Sequence, residues 1–132
     1  RAGMRLPAAF TATGKAFLSH MSDFEVKRLY PDGLPEQRTP HSVQSVDGLL
    51  QQLRDTRQRG YSIDNQEVAD GIICFGASVL DSRNVPIAGV AVSLLAEDVS
   101  EKDRERIIAN VRRIATRLSA RMGADLERAR RP

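Results

Sequence analysis

The stretch Gly60 to Leu95 reads GYSIDNQEVADGIICFGASVLDSRNVPIAGVAVSLL and decides the fold. It predicts three β-strands bounded by turn-forming residues, namely Tyr61–Asn65, Ile72–Leu80 and Ile87–Leu95. Side chains alternate between the two faces of a strand. One face is bulky and apolar, as a core requires, and carries Ile73, Phe75, Ala77, Val79, Ala88, Val90, Val92 and Leu94. The other, which we call the small face, carries Cys74, Gly76, Ser78, Gly89, Ala91 and Ser93.

The small face has two interpretations. Small side chains can allow a helix to pack closely against the sheet. They can equally leave a concavity for a small ligand, floored by hydroxyl, thiol and carboxylate groups. The residue pattern alone leaves both interpretations open.

Length and composition narrow the class of protein. The 132 residues and 14.6 kDa predict one domain, 1–132. No apolar run approaches the roughly 20 residues of a membrane span, and the N-terminus lacks a signal-peptide pattern. A single cysteine excludes an internal disulfide and fits a reducing cytoplasm. The net charge of +3 favours a solvated helix face over a nucleic-acid surface.

Four helices are predicted from N-cap residues followed by apolar residues at helical spacing. The starts are Thr11 or Thr13, Ser22, Ser45 and Ser100. The third helix ends at Arg59 before Gly60, and Gly123 ends the last, leaving a frayed tail at 124–132. The candidate buried positions, in chain order, are Ala16, Phe17, Leu18, Met21, Phe24, Val26, Leu29, Val46, Leu49, Leu50, Leu53, Ile107, Val111, Ile114, Leu118 and Met122.

Several chemical sites are excluded by their patterns. Gly14-Lys15 resembles the end of a phosphate-binding loop, but the first glycine and the metal-binding hydroxyl are missing. Lys15 is then either a solvated first-turn residue or a charge near an anionic ligand. His20 and His41 lack partners at metal-ligand spacing. No base or nucleophile elbow accompanies the serines, so we expect no catalytic residue, no metal, no cofactor and no enzyme activity.

The motifs TATGKAFLS, RGYSIDNQE, GIICFGASVLD and PIAGVAVS, followed by a long amphipathic helix, occur here in that order. In order and spacing they resemble the effector-binding domain of the isocitrate lyase regulator (IclR) family of bacterial transcription factors. The resemblance extends from about Leu6 to Gly123. It implies an α+β, GAF-like or profilin-like domain, with an antiparallel sheet flanked by helices and a long C-terminal helix. It also implies that the chain is N-terminally incomplete, because the family places a winged helix-turn-helix domain before this one.

The resemblance implies a set of ligand-binding residues. Backbone amides at the start of the first helix would meet the ligand at Ala12, Thr13 and Gly14. The aspartate of the family's Y-S-x-D motif is Asp64, and the cysteine ten residues on is Cys74. Two positions of the last strand complete the set, Ala91 and Ser93. Ala91 stands where members that bind very small oxoacids carry serine, which implies a different effector.

These observations lead to one functional expectation and one alternative. The expectation is a cytoplasmic ligand-sensing domain that binds a small organic acid or aromatic metabolite and performs no chemistry. It would act in a homodimer or homotetramer, contact DNA only through the winged-helix domain and have no membrane partner. The alternative is an oligomerisation module whose small face is filled by side chains.

Overall fold

The computed structural model describes residues 2–129 and places five α-helices and three strands in them. The helices are α1 (Ala12–Leu18), α2 (Asp23–Leu29), α3 (Val46–Arg59), α4 (Glu101–Arg121) and α5 (Leu126–Ala129). The strands are β1 (Ser62–Asn65), β2 (Ile72–Leu80) and β3 (Pro86–Leu95), and a 3₁₀ turn at Ala96–Asp98 leads into α4. The α+β class with a long C-terminal helix is thereby confirmed. None of the helices in residues 2–129 combines the length and apolar character needed to cross a bilayer.

The three strands form one antiparallel sheet in the order β1-β2-β3. The register aligns Asp64 with Cys74 and Cys74 with Ser93, so these three residues form a row across the sheet. β1 begins at Ser62, opposite Gly76. Residues 77–80 of β2 therefore have no strand partner on the β1 side within the described chain.

The predicted helix starts are confirmed by their hydrogen bonds. The hydroxyl oxygens of Thr11, Ser22, Ser45 and Ser100 each accept from the backbone amide three residues on. This satisfies one of the amides that the first turn of a helix leaves without a partner. Gly60 ends α3 in the left-handed region at φ 81°, where a residue without Cβ is least strained.

Helices cover both faces of the sheet. α4 packs on the bulky face, where Ala77, Val111 and Ala115 form a buried cluster with Val92 and Ile107 beside it. α1 lies on the small face, since Ala12 and Thr13 contact Gly76 and Gly89. A second core joins the first three helices and consists of Ala9, Phe10, Leu18, Val26, Leu49, Leu50 and Leu53.

The predicted apolar stripe of α4 is wrong in part. Ile114, Leu118 and Met122 are 43%, 41% and 51% exposed. Val111 is buried as predicted, and the helix also buries Ala115 and Ser119, so its buried residues recur every four positions. Small side chains in that row allow close approach to the sheet, and the Ser119 hydroxyl accepts from the Leu80 amide at 2.9 Å.

The predicted burial of three other side chains is also wrong, because Phe17, Phe24 and Leu29 are exposed. Val26 is the buried residue of α2, and the Phe24 ring lies under the Arg28 guanidinium at the surface. The frayed tail at 124–132 stays a prediction. α5 lies within it, and residues 130–132 are outside the described residues.

Candidate functional site

The row across the sheet is the centre of the candidate site. Cys74 Sγ lies 3.0 Å from Ser93 Oγ, and Asp64 pairs with Cys74 on its other side. Burial decreases along the row, because Asp64 is buried, Cys74 is half-buried and Ser93 is exposed. Ala91 lies on the same face of β3 and is also exposed. The structure therefore brings four of the seven predicted residues together on one surface.

Helix α1 divides the small face into two halves. We call Gly76, with its β1 partner Ser62, the closed half, because both residues are buried and a Cβ at Gly76 would lie 3.1 Å from Ala12. We call Cys74, Ala91 and Ser93 the open half. Both sequence interpretations are thus found in one sheet, with a closely packed helix over one half and accessible small side chains on the other.

The start of α1 supplies the backbone donors beside these residues. The amide of Gly14 is already used, since it donates to Thr11 Oγ1 at 3.0 Å. The amides of Ala12 and Thr13 belong to the first turn, whose N–H groups have no acceptor within their own helix. Of the three predicted backbone positions, Ala12 and Thr13 are therefore the ones suited to receive a carboxylate.

Asp64 is held inside the protein. It is 3% exposed, and its Oδ1 accepts from the Glu67 amide at 2.8 Å. Burial raises the pKa of Asp64, and the nearby Glu67 carboxylate raises it further. Asp64 thus fixes the turn after β1 and forms the buried end of the row.

Sequence reasoning missed the ion pair beneath α1. Lys15 is 1% exposed, and its Nζ donates to Glu67 Oε2 and, at 3.2 Å, to the Ile63 carbonyl. The second oxygen of Glu67 accepts from the Val43 amide at 2.8 Å. Burial lowers the pKa of Lys15, although Glu67 opposes this effect. Of the two alternatives for Lys15, the solvated first-turn residue is therefore wrong.

A signal for this burial was available in the sequence. Ala12, Lys15, Ala16 and Ser19 have the i, i+3, i+4, i+7 spacing of one helix face, and all four are buried. A lysine on such a face requires a buried carboxylate partner. The identity of that partner, 52 residues away, could not be predicted from the pattern.

The chemistry of the row is that of a binding surface. Burial raises the pKa of the Cys74 thiol, so this side chain is a poor nucleophile at neutral pH. The described residues contain no cluster of three or more His, Cys, Asp or Glu that could hold a metal. Thiol, hydroxyl and backbone amide groups next to an apolar Ala91 are suited to orient a small polar molecule.

A large cavity lies elsewhere in the described residues. It has a volume of about 990 Å³ and opens at the β1 edge of β2, between α1, α3 and α4. None of its described lining residues belongs to the predicted set of seven. The open half and this cavity are therefore different surfaces.

Comparison with known proteins gives the family context. The family described as "Bacterial transcriptional regulator IclR C-terminal" matches residues 1–120. The HTH-type transcriptional regulator KdgR of Dickeya chrysanthemi is 34% identical over 123 residues, which cover 93% of this chain and 40% of KdgR. The chain thus spans less than half the length of this relative.

Two solved structures show the same fold. The Agrobacterium tumefaciens repressor BlcR superposes with a TM-score of 0.87 at 38% identity, covering 93% of this chain and 50% of that chain. The inducer-binding domain of the PobR transcription factor from Acinetobacter, a double mutant in complex with 3-hydroxybenzoic acid, superposes with a TM-score of 0.79 at 26% identity. That match covers 90% of this chain and 69% of the PobR chain.

Proposed function

This chain belongs to the IclR family of bacterial transcriptional regulators, matching its C-terminal domain, and we propose that it binds a small organic acid at the open half of the small face. The observation that supports this proposal is the row of Asp64, Cys74 and Ser93, whose neighbour Gly76 on β2 lies against Ala12 of α1. The PobR domain, with the same fold, was crystallised with an aromatic acid. The family consists of regulators and not of enzymes.

The proposed binding mode follows from the donors of the site. The carboxylate of the acid lies on the amides of Ala12 and Thr13, at the positive end of the α1 backbone. The other polar groups of the acid contact Ser93 and Cys74, while Asp64 holds the buried end of the row. Ala91 contributes a methyl group where a hydroxyl would favour a smaller, more polar acid.

The proposed regulation uses differential affinity. An effector shifts an equilibrium between two arrangements of the regulator only if it binds one of them more tightly. In this proposal the chain acts in the cytoplasm as a homodimer or homotetramer. DNA is contacted by a winged-helix domain of the whole regulator and not by residues 1–132.

The test is thermal unfolding against small carboxylic acids, including 3-hydroxybenzoate and aliphatic 2-oxoacids. A ligand present at 100 times its Kd stabilises the folded state by about 2.7 kcal/mol, which is readily measured. Ser93→Ala should reduce the shift given by a binding acid. Ser82→Ala, in the exposed hairpin loop, is the matched control and should leave it unchanged.

Two results would contradict the proposal. One is equal stabilisation of the wild type and Ser93→Ala by every acid that binds. The other is an absence of stabilisation across the panel by a chain that is fully folded. Asp64→Asn, which keeps the size and the acceptor oxygen of the side chain, gives a second variant should the binding acid depend on the buried end of the row.

A second candidate function is oligomerisation without a ligand. The exposed stripe of Ile114, Leu118 and Met122 on α4 is the observation that favours it. Apolar side chains on one helix face, repeated at this spacing, are typical of a surface that packs against another helix. Sedimentation of Leu118→Glu would test this reading, since a dimer formed through the stripe should dissociate.

A further inference from the structure

The cavity at the edge of β2 has the composition of a second ligand site. The apolar part of its lining consists of Ala16, Met21, Ala77, Leu80 and Ala115. The same lining includes the polar groups of Ser19, Thr56, Ser62, Ser78, Thr116 and Ser119. A largely apolar cavity with a few polar groups is the usual form of a small-molecule site.

The charges at this cavity are positive. Arg57 and Arg112 line it, and no Asp or Glu is among its described lining residues. Arg57 donates to the Ser19 carbonyl at 2.9 Å and lies 3.9 Å from the Asp23 carboxylate, so its charge is partly balanced. Arg112 rests against Gly60 and takes part in none of the ion pairs within residues 2–129.

The sheet contributes unused polar groups to the same place. The hydroxyl oxygen of Ser78 is buried and has no hydrogen-bond partner in the described part of the chain. The residues two positions away on β2 have partners on the β1 side of the strand. The Gly76 carbonyl accepts from Ser62 Oγ, and the Leu80 amide donates to Ser119 Oγ. Backbone groups two residues apart on a strand point the same way, so the N–H and carbonyl of Ser78 face this side as well.

We propose that this cavity is a second binding site for an organic anion, which has an apolar body and a carboxylate or phosphate head. The head pairs with Arg112, the body lies on the apolar part of the lining, and Ser78 supplies a hydroxyl and the free edge of β2. An arginine fork matches both carboxylate and phosphate, which makes it suitable for either head. This site is independent of the proposed effector site, because the two share no described residue.

The test uses benzoate, phenyl phosphate and the neutral benzamide as probes, followed by amide NMR spectra of the 132-residue chain. Saturable shifts by an anionic probe are expected at Gly60, Ser78 and Thr116, with much weaker binding of benzamide. Arg112→Gln should weaken binding of that probe about tenfold or more, the size of one charged hydrogen bond. The stronger of benzoate and phenyl phosphate identifies the head group.

Matched variants separate the outcomes. Arg113→Gln removes the same charge from the next position of α4, where the side chain is exposed and bonded to Asn110, and should leave binding unchanged. Ser93→Ala should leave the probe-induced shifts at Gly60, Ser78 and Thr116 unchanged. The same substitution should weaken binding at the effector site. The proposal is overturned if Arg113→Gln weakens binding as much as Arg112→Gln, if benzamide binds as tightly as the anions, or if shifts occur only around Cys74 and Ser93.

Discussion

The closed and open halves of the small face are both built from small residues, and they differ in what covers them. Gly76 and Ala91 are direct neighbours across β2 and β3, yet Gly76 is buried beneath α1 and Ala91 is exposed. The Ser62 hydroxyl donates to the Ala12 carbonyl and ties the closed half to the helix, and the buried Lys15–Glu67 pair ties the same helix to the turn after β1. The open half has no such ties in the described chain. Small residues on a sheet therefore permit a ligand surface, but the position of the helix determines where it lies.

The largest effect should come from breaking the buried ion pair that holds α1, compared with a change in the open half. Glu67→Ala leaves the Lys15 ammonium buried without its carboxylate partner, which should lower the free energy of unfolding by about 3–5 kcal/mol. Ser93→Ala in the open half should change it by less than about 1 kcal/mol. Urea unfolding of both variants measures this comparison. Similar losses of unfolding free energy would show that the open half is as tightly constrained as the ion pair beneath α1.

A smaller difference is expected from adding one carbon to each half. A Cβ at Gly76 would lie 3.1 Å from the Ala12 backbone and 3.0 Å from Ser62 Oγ, so Gly76→Ala should cost about 1–3 kcal/mol of stability. Ala91→Val adds more atoms on the exposed side, where the cost should stay within about 0.5 kcal/mol. Loss of stability in Ala91→Val that matched Gly76→Ala would mean that the open half is packed in solution.

The pH dependence of stability should show how firmly Asp64, the buried end of the row, is held beside the open half. The pKa of Asp64 is raised above its ordinary 3.8 by burial, so the folded protein holds this proton more tightly than the unfolded chain does. The free energy of unfolding contributed by Asp64 must therefore fall as the pH rises from 3.8 through the raised pKa. The neighbouring charges that act on Asp64 are Lys15 and Glu67, and both are present in the wild type and in the Asp64 variant.

Asp64→Asn removes that contribution. Its stability relative to the wild type should increase as the pH rises through this window. Denaturant unfolding from pH 3.5 to 7 measures the change. A constant difference between the two proteins across that range would contradict the raised pKa.

The smallest effect concerns the Cys74 thiol of the open half. Burial raises the pKa of Cys74, so less thiolate is present at neutral pH than for an ordinary cysteine. Its reaction with an aromatic disulfide reagent at pH 7.4 should be slower than that of a free small thiol and should speed up as the pH rises. A reaction as fast as the free thiol would indicate an activated cysteine instead.

Much of the fold could be predicted from local patterns, and the candidate site only in part. Asp64, Cys74 and Ser93 were placed together because period-two alternation and antiparallel pairing suffice to align them. The face of α4 that meets the sheet could not be predicted in the same way. Its apolar residues fall on two adjacent rows, and the row with Ala115 and Ser119 is buried because small side chains allow the closer approach.

The sequence by itself determined the three strands, the helix starts at Ser22, Ser45 and Ser100, and the small face, since each depends on residues within a few positions of one another. Only the tertiary structure decided that Lys15 is buried against Glu67 and that α1 covers the closed half and leaves Ser93 accessible. It also decided that a basic cavity opens beside the first residue of β1, Ser62. These features join segments distant in the chain, so their energies depend on packing that no local pattern encodes.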